Sequence, residues 1–195
     1  FHTRLSMFVV TLFLLSMNTR IGSMGFGGLG FVGIVSVYGN LVPNLEAYSL
    51  DKSNGLPSVS SLTNVLVTIC ITVHLSVMYY VCGASKHGLK SWDEGDIIFL
   101  IAHASGVMTV RADLLRSFPV LCRFLTHSTV YLETYAFLIL LFPVPLIRCL
   151  GILILVSLHM GISIFVHVFG FNFSMIALLV LLMPPMAYDF LERIG

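Results

Sequence analysis

Glu133 stands out chemically because it lies inside an otherwise apolar run. No other charged residue occurs between Ser128 and Phe142. An ionisable group inside a membrane span is costly, so it is paired, protonated or part of a functional site. We expect Glu133 to bond to a basic or hydroxyl side chain of another helix, with Arg148 and Arg123 as candidate partners. Glu133 is also a candidate ligand-binding residue.

Histidines also interrupt the apolar sequence, at positions 74, 159 and 167. His159 and His167 lie eight residues apart, which places them about 80° apart on a helical wheel. They therefore do not form one ligand pair. His159 is either a hydrogen-bonded histidine of a helix bundle or a ligand-binding residue, for example for haem or chlorophyll. The absence of a second spaced histidine pair favours the first interpretation.

The composition identifies the broad class. Of the 195 residues, 57% are hydrophobic and 10% are charged, whereas a soluble domain has about 45–50% apolar and about 25% charged residues. This difference excludes an ordinary soluble domain and a disordered chain. The net charge of +1 provides no field that attracts polyanions, so nucleic acid is not an expected partner. We expect a multi-pass integral membrane protein in contact with lipid.

The apolar runs predict an all-α transmembrane bundle of about five or six spans, plus one interfacial or re-entrant helix, because a span needs about 20 apolar residues. Residues 1–195 are expected to form one domain, and the chain's first helix is expected to begin before Phe1. The candidate spans are Leu5–Met17, the glycine-rich Met24–Pro43, Leu62–Gly83, Ser128–Phe142, and two within Cys149–Tyr188.

The run from Cys149 to Tyr188 contains no Asp, Glu, Lys or Arg, and its length suits two passes. We expect separate helices over Arg148–Phe169 and Phe173–Tyr188, with the turn at Gly170, Phe171 and Asn172. The apolar run Ile97–Met108 is too short to cross a bilayer and is expected to lie at the interface.

The sequence offers few other chemical signals. The four cysteines, at positions 70, 82, 122 and 149, have no metal-binding or redox spacing, and no metal site is predicted. There is no nucleophile elbow, phosphate-binding loop or dinucleotide-binding glycine pattern.

Four stretches resemble a known membrane domain in their order along the chain. Tyr79–Lys86 (YYVCGASK), followed by Trp92 and Gly95, is similar to a stretch of the horizontally transferred transmembrane (HTTM) domain. This domain is the membrane part of the vitamin K-dependent gamma-glutamyl carboxylase family. The other similar stretches are Ser16–Arg20 with the glycine-rich run and Pro43, Phe118–Thr126 with Glu133 and Pro143, and Leu158–His159 with Phe169–Phe171 and Pro184.

The resemblance implies a role for Lys86. The matching lysine of the carboxylase is held to be the base that deprotonates vitamin K hydroquinone. Such a base must be neutral, and desolvation at a membrane boundary favours a neutral amine. The alternative is that Lys86 is an interfacial anchor at a helix end, and Trp92 is either a second anchor or a ligand-binding residue. The loop from Gly83 to Trp92 is about one residue longer than in the carboxylase.

Two functions therefore remain open, and the sequence leaves open whether the protein is an enzyme. The first is binding of a lipid-soluble ligand such as a quinone, with carboxylase-like or redox chemistry. The second is a non-catalytic accessory subunit of a larger photosynthetic or respiratory membrane complex, packed against other helices and contacting pigment or haem. These 195 residues contain no counterpart of the soluble domain that binds the carboxylase's protein substrate, so the resemblance implies the fold more directly than the reaction.

Overall fold

The computed structural model describes residues 8–13, 16, 33, 36–37, 61–104, 112–166 and 169–184. Among these residues there is no β-strand, and the elements are helices, as the all-α prediction requires. Of the expected span Leu5–Met17, residues 8–13 and 16 are described and are helical. Of the expected span Met24–Pro43, only residues 33, 36 and 37 are described. From residue 61 onward the helices are α1 (Ser61–Ala84), α2 (Lys90–Asp93), α3 (Ile97–His103), α4 (Ala112–Ser117), α5 (Pro119–Leu140), α6 (Pro145–Phe165) and α7 (Phe169–Leu181).

Among the described residues, two helices are long and apolar enough to cross a membrane: Val65–Ala84 within α1 and Pro145–Phe165, which is α6. Only 28% and 22% of these two segments are buried, whereas the core helix of a soluble protein would be mostly covered. Their exposed faces carry large apolar side chains, including Leu66, Val73 and Ile154. Apolar faces of this extent suit a lipid environment.

The helix around Glu133 is longer than the sequence indicates. We expected it to begin at Ser128, but α5 begins at Pro119. Proline at the first helical position has a pre-set φ and no N–H that needs a partner, so it starts the helix. Arg123 remains compatible with the helix because its side chain is largely exposed. Glu133 therefore lies well inside α5 and not one turn from its start.

The prediction of two separate helices in the charge-free run is confirmed. The first ends at Phe165, and Val166 is extended, with φ −121° and ψ 136°. The predicted turn at Gly170, Phe171 and Asn172 is wrong, because α7 already begins at Phe169. Asn172 contributes to tertiary packing from the first turn of α7, where it is fully buried.

The helix α3 is short, as expected for the run that starts at Ile97. Its seven residues span only about 10 Å at 1.5 Å per residue, far less than a hydrocarbon core of about 30 Å. The end of the predicted segment, residues 105–108, lies outside the described residues.

The main core lies between α1, α5, α6 and α7. On α1, Val67, Ile71, Leu75 and Tyr79 recur at every fourth residue and are nearly inaccessible, so they form one stripe along the helix. The facing helices complete this core with Ala136, Leu140, Ile152, Leu155, Met175, Leu178, Leu179 and Leu182. A smaller cluster of Ala102, Leu115 and Cys122 fixes α3 and α4 against α5.

The backbones of α1 and α5 approach each other closely at Gly83. A Cβ atom at Gly83 would lie 2.7 Å from the Cα of Thr134 and closer still to its backbone nitrogen. Only glycine therefore allows the end of α1 to reach this register on α5.

We expect Gly83→Ala to lower the free energy of unfolding by about 1–3 kcal/mol, because two backbones must separate to admit the methyl group. Unfolding of the purified protein in mixed detergent micelles measures the change. Gly161→Ala is the matched control, since a Cβ at Gly161 meets no atom within 4 Å. If the two substitutions had equal effects, the close contact of α1 and α5 would be wrong.

Candidate functional site

Lys86, Trp92 and Glu133 meet at one cavity. We call this cavity of about 330 Å³ the Lys86 pocket. Thr129 and Ser157 are the other polar side chains on its surface. The remaining lining residues are Ile98, Ile101, Leu115, Leu125, Leu158, Gly161, Ile162, Phe165 and Val166. The pocket is therefore apolar along most of its surface, with one charged pair.

Glu133 is bonded to Lys86 and not to an arginine. Lys86 Nζ donates to Glu133 Oε2 in an ion pair. The expectation of Arg148 or Arg123 as the partner is therefore wrong. Arg123 instead faces Asp96, with 3.4 Å between nitrogen and oxygen, in an exposed pair. Arg148 Nε has no partner among the described residues.

The Lys86–Glu133 pair is largely shielded from solvent. The two side chains are 17% and 13% exposed. Lys86 Nζ also donates to the Cys82 carbonyl at 3.0 Å, one of the acceptors that a helix end leaves free. The amine lies 5.1 Å from the centre of the Trp92 ring, within the range of a cation–π interaction. Lys86 therefore points into the pocket and not into open solvent.

Two local features bring these side chains together. The contact of Gly83 with Thr134 places the end of α1 beside the turn of α5 that carries Glu133. Gly88 and Gly95 both have φ +80°, a conformation that glycine adopts without strain. The turn at Gly88 leads the chain from α1 into α2, where Trp92 lies beside the amine, and the turn at Gly95 leads from α2 into α3. Helix packing and loop geometry thus assemble residues that are far apart in sequence.

The charged pair can exchange hydrogen bonds with a ligand. An ammonium group has three donors, and two of those of Lys86 are used by Glu133 and Cys82. A carboxylate has two oxygens, and the bond from Lys86 occupies Oε2. Transfer of one proton within the pair would give a neutral amine and a carboxylic acid. The site can therefore supply a donor, an acceptor and a proton.

His159 lies outside this pocket, although its neighbour Leu158 lines it. The ring nitrogens of His159 bond to Tyr79 and Asn172, and the residue is 2% exposed. An axial ligand of haem or chlorophyll needs a free ring nitrogen, so this arrangement does not fit a tetrapyrrole. It matches a hydrogen-bonded histidine of the bundle. The described residues contain no group of three or more potential metal ligands.

Sequence reasoning missed Tyr79 and Asn172 as partners of His159. A signal for Tyr79 was present, because it continues the apolar series Val67, Ile71 and Leu75 at every fourth position and therefore lies on the buried face of α1. Asn172 was assigned to a turn, since asparagine is common there.

Comparisons with known proteins leave the geometry as the basis for assigning a function. The arrangement of Lys86, Trp92 and Glu133 must therefore be interpreted from its own chemistry. No protein-family model, curated protein or solved structure matches this chain.

Proposed function

We propose that this chain is a multi-pass, HTTM-like integral membrane protein that binds a lipid-soluble ligand, such as a quinone, in the Lys86 pocket. The observation that carries the proposal is the meeting of Lys86, Trp92 and Glu133 at one cavity with mostly apolar lining. Ligand sites are commonly concave and apolar, with a few polar groups that fix orientation. The volume of about 330 Å³ lies at the lower end of the usual range, about 300–1,000 Å³.

The residues of the pocket fit the parts of a quinone. The free donor of Lys86 can bind a carbonyl oxygen of the ring, and the Trp92 ring offers a flat surface for it. Leu125, Ile162 and Phe165 provide apolar surface for part of an isoprenoid tail. Because such a ligand dissolves in lipid, it can reach the pocket from the membrane.

The chemistry would depend on the proton shared by Lys86 and Glu133. A bound quinone supplies redox chemistry through its oxidised and reduced forms. Lys86 can accept a proton from a hydroxyl in the pocket only after its own proton has moved away, and Glu133 is the acceptor in contact with it. Trp92 and the apolar lining limit access of water to the amine. Lys86 is thus the proposed base, with Glu133 as its proton partner.

The proposed membrane arrangement is a bundle of about five or six spans with an interfacial α3. The apolar helices α1 and α6 support this arrangement, as does α5, whose 22 residues extend about 33 Å. The only charged side chains in α5 are Arg123 and Glu133. Arg123 lies in its first turns, where a long side chain can reach the headgroups, and Glu133 faces Lys86.

The single tryptophan of the chain allows a direct test of ligand binding. Trp92 lines the pocket, and quinones quench tryptophan fluorescence on contact. Titration of the purified protein in detergent with decylubiquinone should give saturable quenching. The control is Trp92→Phe combined with Phe173→Trp, which moves the reporter to an exposed position on α7. Quenching of the control should rise without saturation, as expected for probe dissolved in the micelle.

The accessory-subunit function makes the opposite prediction. If quenching of Trp92 matched that of the control, the ligand-binding proposal would be wrong. Co-migration of the chain with a larger complex in a native gel would then favour a non-catalytic subunit. Its exposed apolar faces would in that case contact other helices and not lipid alone.

A further inference from the structure

A buried chain of hydrogen bonds lies beside the pocket but is not part of its lining. The Tyr79 hydroxyl of α1 is 2.7 Å from Nε2 of His159 on α6. Nδ1 of His159 is 3.0 Å from Oδ1 of Asn172 on α7. The three residues are 3%, 2% and 0% exposed. Two consecutive hydrogen bonds thus connect three helices within an apolar core.

The donors and acceptors define the protonation of His159. With the Asn172 amide oriented so that Oδ1 faces the ring, Nδ1 of His159 carries the hydrogen of this bond. Nε2 is then an acceptor, and the Tyr79 hydroxyl donates to it. The three side chains therefore hold a neutral histidine in one tautomer and in one ring orientation. Each bond has a direction, so replacing one member removes the partner of the next.

The chain connects two sides of the Lys86 pocket. Helix α6 contributes Leu158, Gly161 and Ile162 to the lining, and His159 lies between these residues. Helix α1 carries Tyr79 and ends at Ala84, two residues before Lys86. Helix α1 packs mainly on α5, and α6 packs mainly on α7 and α5. The Tyr79–His159 bond is therefore a direct link between α1, which ends two residues before Lys86, and α6, which contributes several residues to the lining of the pocket.

We infer that Tyr79, His159 and Asn172 are positioning residues, which hold α6 at the distance from Lys86 that the ligand requires. This inference rests on the proposed function of the pocket. None of the three lines the pocket, so their effect on the ligand passes through the backbone of α6. A purely structural role would stabilise the fold without changing the pocket.

The test compares two deletions of a buried hydroxyl from α1. Tyr79→Phe removes the donor to His159 and keeps the ring. Ser76→Ala is the matched control, because Ser76 Oγ is buried and has no partner among the described residues. Circular dichroism establishes that both variants are folded. The first readout is quenching of Trp92 by acrylamide without ligand, and the second is the affinity for decylubiquinone.

We expect Tyr79→Phe to increase the accessibility of Trp92 to acrylamide and to weaken decylubiquinone binding by roughly fivefold, the effect of about one ordinary hydrogen bond. Ser76→Ala should change neither quantity. His159→Gln provides a rescue, because its amide can accept from Tyr79 and donate to Asn172, whereas His159→Leu can do neither. The affinity of His159→Gln for decylubiquinone should remain within about twofold of that of the original protein, because both hydrogen bonds are retained. The affinity of His159→Leu should fall, because both bonds are lost.

The acrylamide readout separates this inference from the proposed function. If the original protein does not bind decylubiquinone, the proposed ligand is wrong, but the positioning role is still decided by the accessibility of Trp92. Unchanged accessibility in both Tyr79→Phe and His159→Leu would overturn the inference. Equal responses of Tyr79→Phe and Ser76→Ala would also overturn it, because the effect would then follow from loss of any buried hydroxyl. If His159→Leu does not fold, Tyr79→Phe and His159→Gln decide the question.

Discussion

Glu133→Leu is expected to lower the free energy of unfolding by about 3 kcal/mol, since removing one member of a buried ion pair leaves the other charge without compensation. Lys86 is only 17% exposed, so water replaces the lost carboxylate poorly. The Cys82 carbonyl and the Trp92 ring still contact the amine, which places the loss at the lower end of the usual range. Unfolding in mixed detergent micelles measures it.

Two control variants separate charge from hydrogen bonding in this prediction. Glu133→Gln should retain most of the stability, because the amide oxygen still accepts from Lys86. The double variant Lys86→Met with Glu133→Leu should recover most of the loss, since both charges are replaced by apolar groups of similar size. Equal tolerance of Glu133→Leu and Glu133→Gln would mean that the ion pair contributes nothing to the fold.

Lys86→Arg is expected to preserve the fold and abolish base catalysis at the pocket. Arginine keeps the positive charge and can pair with Glu133, but it does not become neutral in a protein. A hydroquinone reacts faster with oxygen after it loses a proton, so the proposed base should accelerate oxygen uptake by decylubiquinol. Loss of a positioned base typically reduces a rate by about 10²–10⁴-fold. An oxygen electrode measures uptake by the purified protein and the variant.

Binding and stability provide the controls for the Lys86 prediction. Lys86→Arg should unfold at nearly the same denaturant concentration as the original protein, and decylubiquinone should still quench Trp92. Lys90→Arg is the matched substitution outside the pocket, because the Lys90 side chain is 84% exposed and faces Glu94. It should leave oxygen uptake unchanged. If Lys86→Arg also left uptake unchanged, Lys86 would be an interfacial anchor and not a base.

The sequence alone determined that the main elements are helices and that Glu133 needs a partner. Long apolar runs with very few charges predict helices, because a helix satisfies its own backbone polar groups wherever water is excluded. The same reasoning predicted α6 and α7 as separate helices, since the charge-free run Cys149–Tyr188 is too long for a single pass through a membrane. It also identified Glu133 as a group that must be compensated, because an isolated carboxylate in apolar surroundings is unfavourable.

The sequence did not determine where some helices begin. The span around Glu133 was expected to begin at Ser128, yet α5 starts at Pro119 and includes Arg123. Charged side chains on an exposed face do not interrupt a helix, so local composition underestimated its length. Asn172 was likewise placed in a turn from its preference, whereas burial and the bond to His159 keep it in α7. In both cases a tertiary contact or an exposed face overrode the local preference.

The sequence named Lys86, Trp92 and Glu133 as candidates, but the tertiary structure alone decided that they meet at one cavity and that His159 lies outside it. Lys86 and Glu133 are 47 residues apart, and Tyr79 and His159 are 80 apart. Each pair depends on the register between helices, and that register follows from close packing at Gly83 and from the α1 core stripe. The sequence indicated that Glu133 required a partner, but the expected partners were Arg123 and Arg148, and Lys86 was not among them. Only the approach of α1 to α5 at a residue without a side chain places Lys86, and neither arginine, within reach of the carboxylate.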